Sequence, residues 1–231
     1  MASESQRRVA LVTGGTRGIG LAICRELADD YHLLVGGRDQ SRVDEVVASL
    51  PSAEGFCVDL CDVDALRAAV AGINHLDALI HNAGITKMGA IGDVDHDTWL
   101  EVLTMNVVAV ADLTRECLPL LRQSRGCVVA INSGSGFTSK PTNGVYSASK
   151  HALVALTDAL REEERGRVKV VSIHPGRVDT DMQVECQQFY GRQYRPEEHM
   201  RPESVARAVS FALSMGDDAT IDYLAVRPTA G

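Results

Sequence analysis

The sequence predicts an α/β fold, a single-domain, doubly wound parallel sheet of about seven strands with helices on both faces. Short apolar runs alternate with longer amphipathic stretches along the 231 residues, which is typical of parallel strands joined by helical crossovers. The run Val168–Ile173 is apolar almost throughout, as expected of a strand buried on both faces. No repeat, low-complexity tract or linker interrupts the alternation, so residues 1–231 are expected to form one domain.

The strands and helices follow from the length and spacing of the apolar runs. Short runs of apolar residues predict the strands Val9–Val12, Leu33–Val35, Gly55–Val58, Ala78–Ile80, Cys127–Ile131, Val168–Ile173 and Leu224–Val226. The stretches between them carry apolar residues three and four positions apart, which predicts helices. These helices cover Ile19–Ala28, Arg42–Leu50, Val63–Ile73, about Thr98–Leu121, roughly Tyr146–Arg161 and Ser204–Ser214. Pro51 follows the second helix and Pro202 precedes the last one, in agreement with these boundaries.

Composition favours a soluble, cytoplasmic protein. Hydrophobic residues make up 45% of the chain, enough for a sizeable core, and the formal net charge is −8. Because the basic residues form no long run or stripe, we expect neither nucleic acid nor an anionic membrane as a partner. No apolar stretch approaches the roughly 18 residues that a membrane-spanning helix needs. The polar start, Met1–Arg8, does not resemble a secretory signal.

The six cysteines, at positions 24, 57, 61, 117, 127 and 186, are expected to be reduced. They form no Cys-x-x-Cys pair, and no His-rich segment accompanies them. Cys57 and Cys61 come closest to a metal-binding spacing, but two thiols do not complete a zinc site. No metal ion is therefore expected.

A glycine-rich turn, Thr13-Gly14-Gly15-Thr16-Arg17-Gly18-Ile19-Gly20, directly follows the first strand. Ligands of doubly wound sheets bind beyond the carboxyl ends of the strands. Glycine lets the backbone approach a diphosphate closely, and the following helix offers free N–H groups to that anion. The spacing Gly-x-x-x-Gly-x-Gly differs from the commoner Gly-x-Gly-x-x-Gly fingerprint. The turn favours a Rossmann-like dinucleotide site, although a tight strand-to-helix turn can also use glycine for geometry alone.

The end of the second strand, Gly36-Gly37-Arg38, favours NADP(H) over NAD(H). NAD-preferring sites usually place an acidic residue near here to hold the ribose hydroxyls, and in this chain Asp39 comes slightly late. A guanidinium suits a 2′-phosphate because it offers paired donors and a permanent charge. Arg17 in the turn would supply a second cation. The alternative is that both arginines are solvated loop residues.

Tyr146 and Lys150 lie four residues apart at the start of a predicted helix and therefore share one helical face. A free phenol titrates near 10, and a neighbouring ammonium lowers that pKa by favouring the phenolate. Ser133, at the carboxyl end of the fifth strand, would polarise a substrate carbonyl. A Tyr-x-x-x-Lys pattern alone is a weak signal, and its position near a dinucleotide turn makes it specific.

Taken together, these motifs resemble the short-chain dehydrogenase/reductase family over essentially the whole chain. The matching segments are Thr13–Gly20, Asn82-Ala83-Gly84, Asn106, Ser133, Tyr146-x-x-x-Lys150 and Pro175-Gly176 followed by Thr180. Ser133 precedes Tyr146 by thirteen residues, an interval common in the family. The resemblance implies an NADP(H)-dependent oxidoreductase, such as a ketoreductase, that transfers a hydride between nicotinamide and a carbonyl or secondary alcohol.

The resemblance also implies a role for each matching residue. Tyr146 would be the general acid in carbonyl reduction and the general base in the reverse direction, and Lys150 would lower its pKa and bind the nicotinamide ribose. Ser133 would hold the substrate oxygen, and Asn106 would keep a water in the proton relay to Lys150. The implied cofactor-binding residues are Gly14, Thr16, Arg17, Gly18, Ile19 and Gly20 at the diphosphate, Arg38 at the 2′-phosphate, Asp59 and Leu60 at adenine, Asn82 and Gly84 at the adenosine ribose, and Pro175, Gly176, Val178 and Thr180 near the nicotinamide.

Two departures from the family pattern are mild. Ser135 is a rival of Ser133 for the hydroxyl role, and spacing favours Ser133. His81 stands where the family often has asparagine, and we expect it to be structural, as we expect of His174.

The resemblance implies a substrate lid at about residues 182–201 and a homodimer or homotetramer joined through the helices after strands four and five. Aromatic and arginine side chains of the lid would receive a polar or carboxylate-bearing small molecule, whereas a solvated loop with a short helix is the alternative. The alternative function is a non-catalytic NADP(H)-binding regulator or redox sensor, which loss of Tyr146 or Lys150 would have favoured. A nucleotide-sugar epimerase usually needs a longer carboxyl-terminal substrate domain.

Overall fold

The computed structural model describes residues 7–229, in which seven strands form a parallel sheet. The strands are β1 (Arg8–Val12), β2 (Tyr31–Gly37), β3 (Ala53–Cys57), β4 (Ala78–His81), β5 (Cys127–Ile131), β6 (Lys169–Pro175) and β7 (Tyr223–Val226). Their order across the sheet is β3-β2-β1-β4-β5-β6-β7, so the direction of winding reverses between β1 and β4. The predicted doubly wound parallel α/β fold is confirmed.

Eight α-helices are present in the part of the chain that the structure describes. They are α1 (Gly18–Leu27), α2 (Gln40–Ala48), α3 (Val63–Ala71), α4 (His96–Leu103), α5 (Ala109–Ser124), α6 (Gly144–Glu163), α7 (Asp181–Phe189) and α8 (Pro202–Leu213). Several begin with a side-chain cap; Asp62, for example, accepts hydrogen bonds from two backbone amides in the first turn of α3. Within residues 7–229, no helix combines the length and apolar character needed to cross a bilayer.

The clearest differences from the sequence-based expectation concern the second strand and the helix after the fourth strand. The second strand was expected at Leu33–Val35, but β2 continues through Gly37 because Gly36 and Gly37 pair with β3. Glycine has little strand preference of its own, so the pairing partner sets this boundary. The single helix expected over about Thr98–Leu121 is instead α4 and α5, joined by a π-helical segment at Thr104–Val108.

Both faces of the sheet are buried, each under its own layer of helices. Successive β1 residues alternate between the layers: Ala10 and Val12 belong to one apolar cluster and Leu11 to the other. The first cluster includes apolar residues of α1 and α8, and the second includes residues of α3 and α5. The helices therefore cover the faces of the sheet and leave its carboxyl edge open for loops.

His81, the last residue of β4, is buried between the sheet and α5, with 4% of its surface exposed. Its Nε2 lies 2.8 Å from Thr114 Oγ1, and the Thr114 hydroxyl donates its proton to the Val110 carbonyl. Nε2 must therefore donate to Thr114, because a hydroxyl has only one proton. Burial lowers the pKa of His81 from 6.5 to about 3, so the ring is neutral in the folded state at ordinary pH. The expectation of a structural role fits this environment.

His81→Asn should flatten the pH dependence of stability on the acidic side of neutrality. Below pH 6.5 the unfolded chain binds a proton at His81, whereas the folded chain does so only near pH 3. The free energy of unfolding therefore decreases as the pH is lowered from about 6.5 towards 3. The slope that one such group contributes approaches about 1.4 kcal/mol per pH unit. Unfolding free energies from urea titrations at about pH 7, 6 and 5 would show a smaller slope in the variant. His96→Asn, which changes an exposed histidine at the start of α4, should keep the wild-type slope; parallel curves for wild type and His81→Asn would contradict the prediction.

Candidate active site

A cavity of about 1280 Å³ opens at the carboxyl edge of the sheet, where the strand order reverses. The loops after β1, β2, β4, β5 and β6 all contribute to its wall, together with α7. Doubly wound sheets bind their ligands at this position because the loops on either side of the reversal diverge and leave a crevice. The cavity is therefore the candidate site.

The glycine turn after β1 forms one side of the cavity and is tied firmly to the end of β4. Asn82 Nδ2 donates to the carbonyls of Thr13 and Gly14, at 2.9 and 3.1 Å. The Thr13 hydroxyl accepts in return from the backbone amides of Asn82 and Ala83. These four bonds explain why Asn82-Ala83 accompanies the turn. Asn82 therefore supports the loop that lines the cavity as well as lining it itself.

Two glycines of the turn are required by geometry. Gly14 has φ +63°, in the left-handed region that side chains disfavour. A Cβ on Gly20 would lie 2.1 Å from the Gly14 carbonyl oxygen and 2.5 Å from Asn82 Nδ2. Gly20 does not line the cavity; it lets α1 begin directly beneath the turn.

The first amides of α1 have no side-chain partner, because its N-cap residue, Arg17, makes no capping hydrogen bond. The first three N–H groups of α1 have no partner in the described residues, and with the positive end of the helix dipole they suit an anion. Of the residues expected at a diphosphate, Gly14, Thr16, Arg17, Gly18 and Ile19 line the cavity here. A dinucleotide diphosphate fits this cradle.

Arginines surround the cavity beyond the end of β2, and they differ in how they are paired. Arg38 lines the cavity and has no ion pair among residues 7–229. Asp39 caps α2 and lies 3.5 Å from Arg42, so its carboxylate is already engaged. Arg17 also lines the cavity and lies 2.6 Å from Asp181 at the start of α7, and its contact with a phosphate stays a prediction.

The two residues expected at adenine occupy different places. Leu60 lines the cavity with Phe56 and Val58. Asp59 does not line it, and its carboxylate accepts a hydrogen bond from the Cys61 amide at 3.0 Å. The carboxylate of Asp59 thus shapes the turn after β3, and its contact with adenine stays a prediction.

Tyr146, Lys150 and Ser133 come together where β5 meets α6. Lys150 Nζ lies 5.8 Å from the centroid of the Tyr146 ring and donates to the Ile131 carbonyl at 3.1 Å. Ser133 follows Ile131 by two residues, and all three predicted residues line the cavity. A phenol, an ammonium and a hydroxyl are thus gathered at the cavity wall, an arrangement suited to proton transfer.

Burial dominates the titration of this pair in the chain alone. It raises the pKa of Tyr146 to about 12, although the neighbouring Ser133 hydroxyl acts in the opposite direction. It also lowers the pKa of Lys150 to about 8. Removal of the phenolate from water accounts for the upward shift of the Tyr146 pKa. Lys150 is not among the groups that shift it, so the lowering of the Tyr146 pKa by the ammonium stays a prediction.

Asn106 lies behind the cavity wall and does not line it. Its Oδ1 accepts from the Ile85 amide, and its Nδ2 donates to the Ile85 carbonyl and to Ser149 Oγ, all at 2.9–3.0 Å. Asn106, in the π-helical segment, thereby joins the loop after β4 to α6. Both amide protons are committed to protein acceptors, and the predicted hold on a water stays untested.

Ser133 and its rival Ser135 both line the cavity. The Ser133 oxygen accepts from the Ser135 amide at 3.1 Å, whereas the Ser135 oxygen accepts from Asn143 Nδ2 at 3.3 Å. Of the two serines, only Ser133 influences the pKa of Tyr146. The choice of Ser133 is thus the better supported of the two.

Asn132 was missed by the sequence analysis. It is 4% exposed, it lines the cavity, and neither of its amide atoms has a hydrogen-bond partner among residues 7–229. Unpaired buried amides are rare. The sequence did offer one indication of its role, because Asn132 directly follows β5 and precedes Ser133, at the carboxyl end of a strand where ligands bind.

The segment after β6 forms another part of the cavity wall. Pro175, Gly176, Val178 and Thr180 line it, as expected, and so do several residues of α7. The Tyr190 hydroxyl lies 3.1 Å from Thr142 Oγ1, across the cavity mouth. At the base of this segment, Met200 bonds to Arg177 and Asp179 through the backbone. Residues 182–201, the expected lid, thus contain most of α7, and the end of this segment pairs with the backbone just before its start.

The histidines and cysteines contribute no metal site. His174 is buried, and its Nδ1 donates to the Ser133 carbonyl at 3.0 Å, in agreement with a structural role. Across residues 7–229, His, Cys, Asp and Glu side chains form no group of three that would hold a metal ion. All six cysteines are free thiols.

Comparisons with known proteins agree with this geometry. The family model of the short chain dehydrogenases matches residues 8–191. An uncharacterized oxidoreductase of Staphylococcus epidermidis is 31% identical over 235 residues, covering 98% of this chain and 99% of the relative. The putative ketoacyl reductase 1 of granaticin polyketide synthase, from Streptomyces violaceoruber, is 38% identical over 196 residues, covering 79% and 72%. The structure of actinorhodin polyketide ketoreductase with NADPH superposes with a TM-score of 0.87, 28% identity and 96% coverage of both chains.

Fold, site and relatives define an oxidoreductase that acts on CH–OH or carbonyl groups. The chain belongs to the short-chain dehydrogenase/reductase family.

Gly20→Ala should disrupt the turn between β1 and α1. Alanine normally favours a helix over glycine by about 1 kcal/mol, but here its methyl group would meet the Gly14 carbonyl oxygen. We expect a net loss of about 1–3 kcal/mol of unfolding free energy, the usual cost of overpacking, and weaker binding of a nicotinamide cofactor. Urea titration and NADPH fluorescence would measure the two effects. Gly92→Ala, at an exposed glycine with open space around it, should change neither; a Gly20→Ala protein as stable as wild type would show that the turn can relax.

Proposed function

We propose that this protein is an NADP(H)-dependent oxidoreductase that transfers a hydride between nicotinamide and a carbonyl or secondary alcohol carbon, with Tyr146 as the general acid and base. The observation that carries the proposal is the position of Lys150 Nζ, 5.8 Å from the Tyr146 ring, in the same cavity as the glycine turn. A non-catalytic regulator would not need this pairing, and membership of an oxidoreductase family favours turnover.

The cavity suits a dinucleotide along its whole length. Gly14, Gly18 and the free amides of α1 would hold the diphosphate, and Leu60 and Asn82 would flank the adenosine. Pro175, Gly176, Val178 and Thr180 line the same cavity as Tyr146, and the nicotinamide would lie between them. A related ketoreductase structure that contains NADPH supports this assignment.

NADP(H) is preferred over NAD(H) in this proposal because of charge at the end of β2. Arg38 lines the cavity without an ion pair in the described residues, so it is available to a 2′-phosphate. Asp39, the nearest carboxylate, caps α2 and pairs with Arg42. It is therefore not free to hold the ribose hydroxyls, as an acidic residue does in NAD-preferring sites.

When bound, the nicotinamide would supply or accept the hydride. The Tyr146 hydroxyl would give a proton to the carbonyl oxygen in reduction and take it back in oxidation. The Ser133 hydroxyl would hold the same oxygen, and Lys150, largely protonated at neutral pH with a pKa of about 8, would favour the Tyr146 phenolate. Asn106 would act as a positioning residue, since its bonds to Ile85 and Ser149 fix both sides of the cavity.

We also propose a cytoplasmic homodimer or homotetramer. Leu100 and Val108 are about half exposed, at 51% and 50%, in the helical region after β4 where the family resemblance places an interface. Large apolar side chains in such positions suit contact with a second copy.

Tyr146→Phe should abolish most of the turnover and leave the cofactor bound. The phenyl ring keeps its packing, but the proton that the hydroxyl exchanges is lost, and general acid–base catalysis contributes about 10²- to 10⁴-fold. Carbonyl-dependent oxidation of NADPH, followed by absorbance, measures turnover, and NADPH fluorescence measures binding. Tyr31→Phe, at a buried tyrosine at the start of β2, is the matched control and should be active. Activity of Tyr146→Phe within a few-fold of wild type would remove Tyr146 from the mechanism.

Arg38→Ala should weaken NADPH much more than NADH. Loss of a charge-assisted hydrogen bond costs about 1.5–3 kcal/mol, which corresponds to a roughly 10- to 100-fold increase in Kd. Fluorescence titration with both cofactors gives the ratio. Arg25→Ala, which removes an exposed arginine of α1 outside the cavity, should leave both constants unchanged. Equal weakening of both cofactors by Arg38→Ala would separate Arg38 from the 2′-phosphate.

A further inference from the structure

The cavity wall is strongly cationic although the chain as a whole carries a net charge of −8. Eight lysines and arginines line the cavity, against two aspartates. Both aspartates are already paired, Asp39 with Arg42 and Asp181 with Arg17. Six cations of the wall therefore have no carboxylate partner among residues 7–229, so the cavity favours an anionic ligand.

The proposed cofactor accounts for only part of this charge. Its phosphates would lie between the glycine turn and Arg38, at the ends of β1 and β2. Three other cations, Lys140, Arg192 and Arg227, follow β5, α7 and β7 and lie on the opposite side. This side is the one that Ser133 and the lid enclose, so the excess charge faces the substrate.

Arg227 is held in place by the ends of two strands. Its Nη1 donates to the carbonyl of His174, in β6, and to that of Val226, in β7. The His174 ring in turn donates from Nδ1 to the Ser133 carbonyl at 3.0 Å. Because β5, β6 and β7 are neighbours in the sheet, these bonds connect the guanidinium to the residue expected to hold the substrate oxygen.

The rest of the Arg227 guanidinium is available to a ligand. The two bonds use both protons of Nη1, whereas Nε and Nη2 donate to no acceptor in the described part of the chain. Nε–H and Nη2–H form the paired-donor edge that binds carboxylate and phosphate in a bidentate manner. Nη2 lies 3.6 Å from where a Cβ on Gly134 would be, so the residue after Ser133 leaves this space empty.

We propose that the substrate is anionic, a carbonyl compound or the corresponding alcohol that carries a carboxylate or phosphate, and that Arg227 is the residue that selects it. The carbonyl oxygen would lie at Ser133 and Tyr146, and the anionic group would bind the free edge of Arg227. Lys140 and Arg192 would attract the anion over a longer range. This proposal rests on the proposed function, since it specifies the substrate of the same site.

The test compares each anionic compound with an uncharged partner of similar shape. Pyruvate, acetoacetate and levulinate would be paired with their methyl esters, and dihydroxyacetone phosphate with dihydroxyacetone. Carbonyl-dependent NADPH oxidation gives kcat/KM, and the melting temperature of the NADP⁺-loaded protein with each compound reports binding without turnover. We expect at least one anionic member to exceed its partner in kcat/KM by about 10- to 100-fold, through a lower KM, as a charge-assisted pair provides. Preference within the acids indicates a carboxylate, and preference for dihydroxyacetone phosphate indicates a phosphate.

Arg227→Gln should erase this preference by raising the KM of the anionic member much more than that of its uncharged partner. Arg227→Lys keeps the charge but loses the paired donors, and it should retain part of the preference. Arg207→Gln is the matched control, because Arg207 is an exposed arginine of α8 that does not line the cavity. It should behave as wild type.

The proposal is overturned if the uncharged partners are used as well as the anionic compounds, if Arg227→Gln keeps the preference, or if no compound of the panel is turned over or raises the melting temperature. Failure of the proposed function has a different signature. In that case NADPH would not bind, or its oxidation by an uncharged carbonyl would survive Tyr146→Phe.

Discussion

One buried ammonium organises the candidate active site. Lys150 is 6% exposed, and its Nζ donates to the Ile131 carbonyl at the end of β5. A buried cation without a partner is costly, so this bond fixes the rotation of α6 against the sheet. Tyr146 lies one turn earlier on the same helical face, and Ser133 lies two residues beyond Ile131. Anchoring Lys150 therefore sets the positions of all three groups at once.

Features that depend on local sequence were predicted well. The apolar runs predicted the strands of the sheet, and the glycine turn and the Tyr146–Lys150 spacing predicted residues that line one cavity, because each pattern arises within a few residues of chain. The boundary of β2 was predicted less well, since Gly36 and Gly37 are strand residues only through their pairing with β3. The π-helical segment Thr104–Val108 likewise has no period that a search for regular helices detects.

Features that depend on contacts between distant segments were out of reach. Asn106 was identified as a site residue, but its bonds to Ile85 and Ser149 span 21 and 43 residues. Arg227 was not identified at all, because its position beside Ser133 arises only when β7 joins β6 at the sheet edge. The direction of the Tyr146 pKa shift also required the fold, since sequence indicates a neighbouring charge but not the depth of burial.

The backbone bonds between Met200 and residues 177 and 179 have a consequence for how such a protein diversifies. They bring the two ends of the 180–199 segment together beside β6, independently of what lies between them. A loop closed at its base can change in length and sequence with little cost to the sheet, because loop-closure entropy varies slowly with length. The sheet and the catalytic residues can therefore stay the same while the 180–199 segment changes, and new substrate specificities can evolve without a new fold.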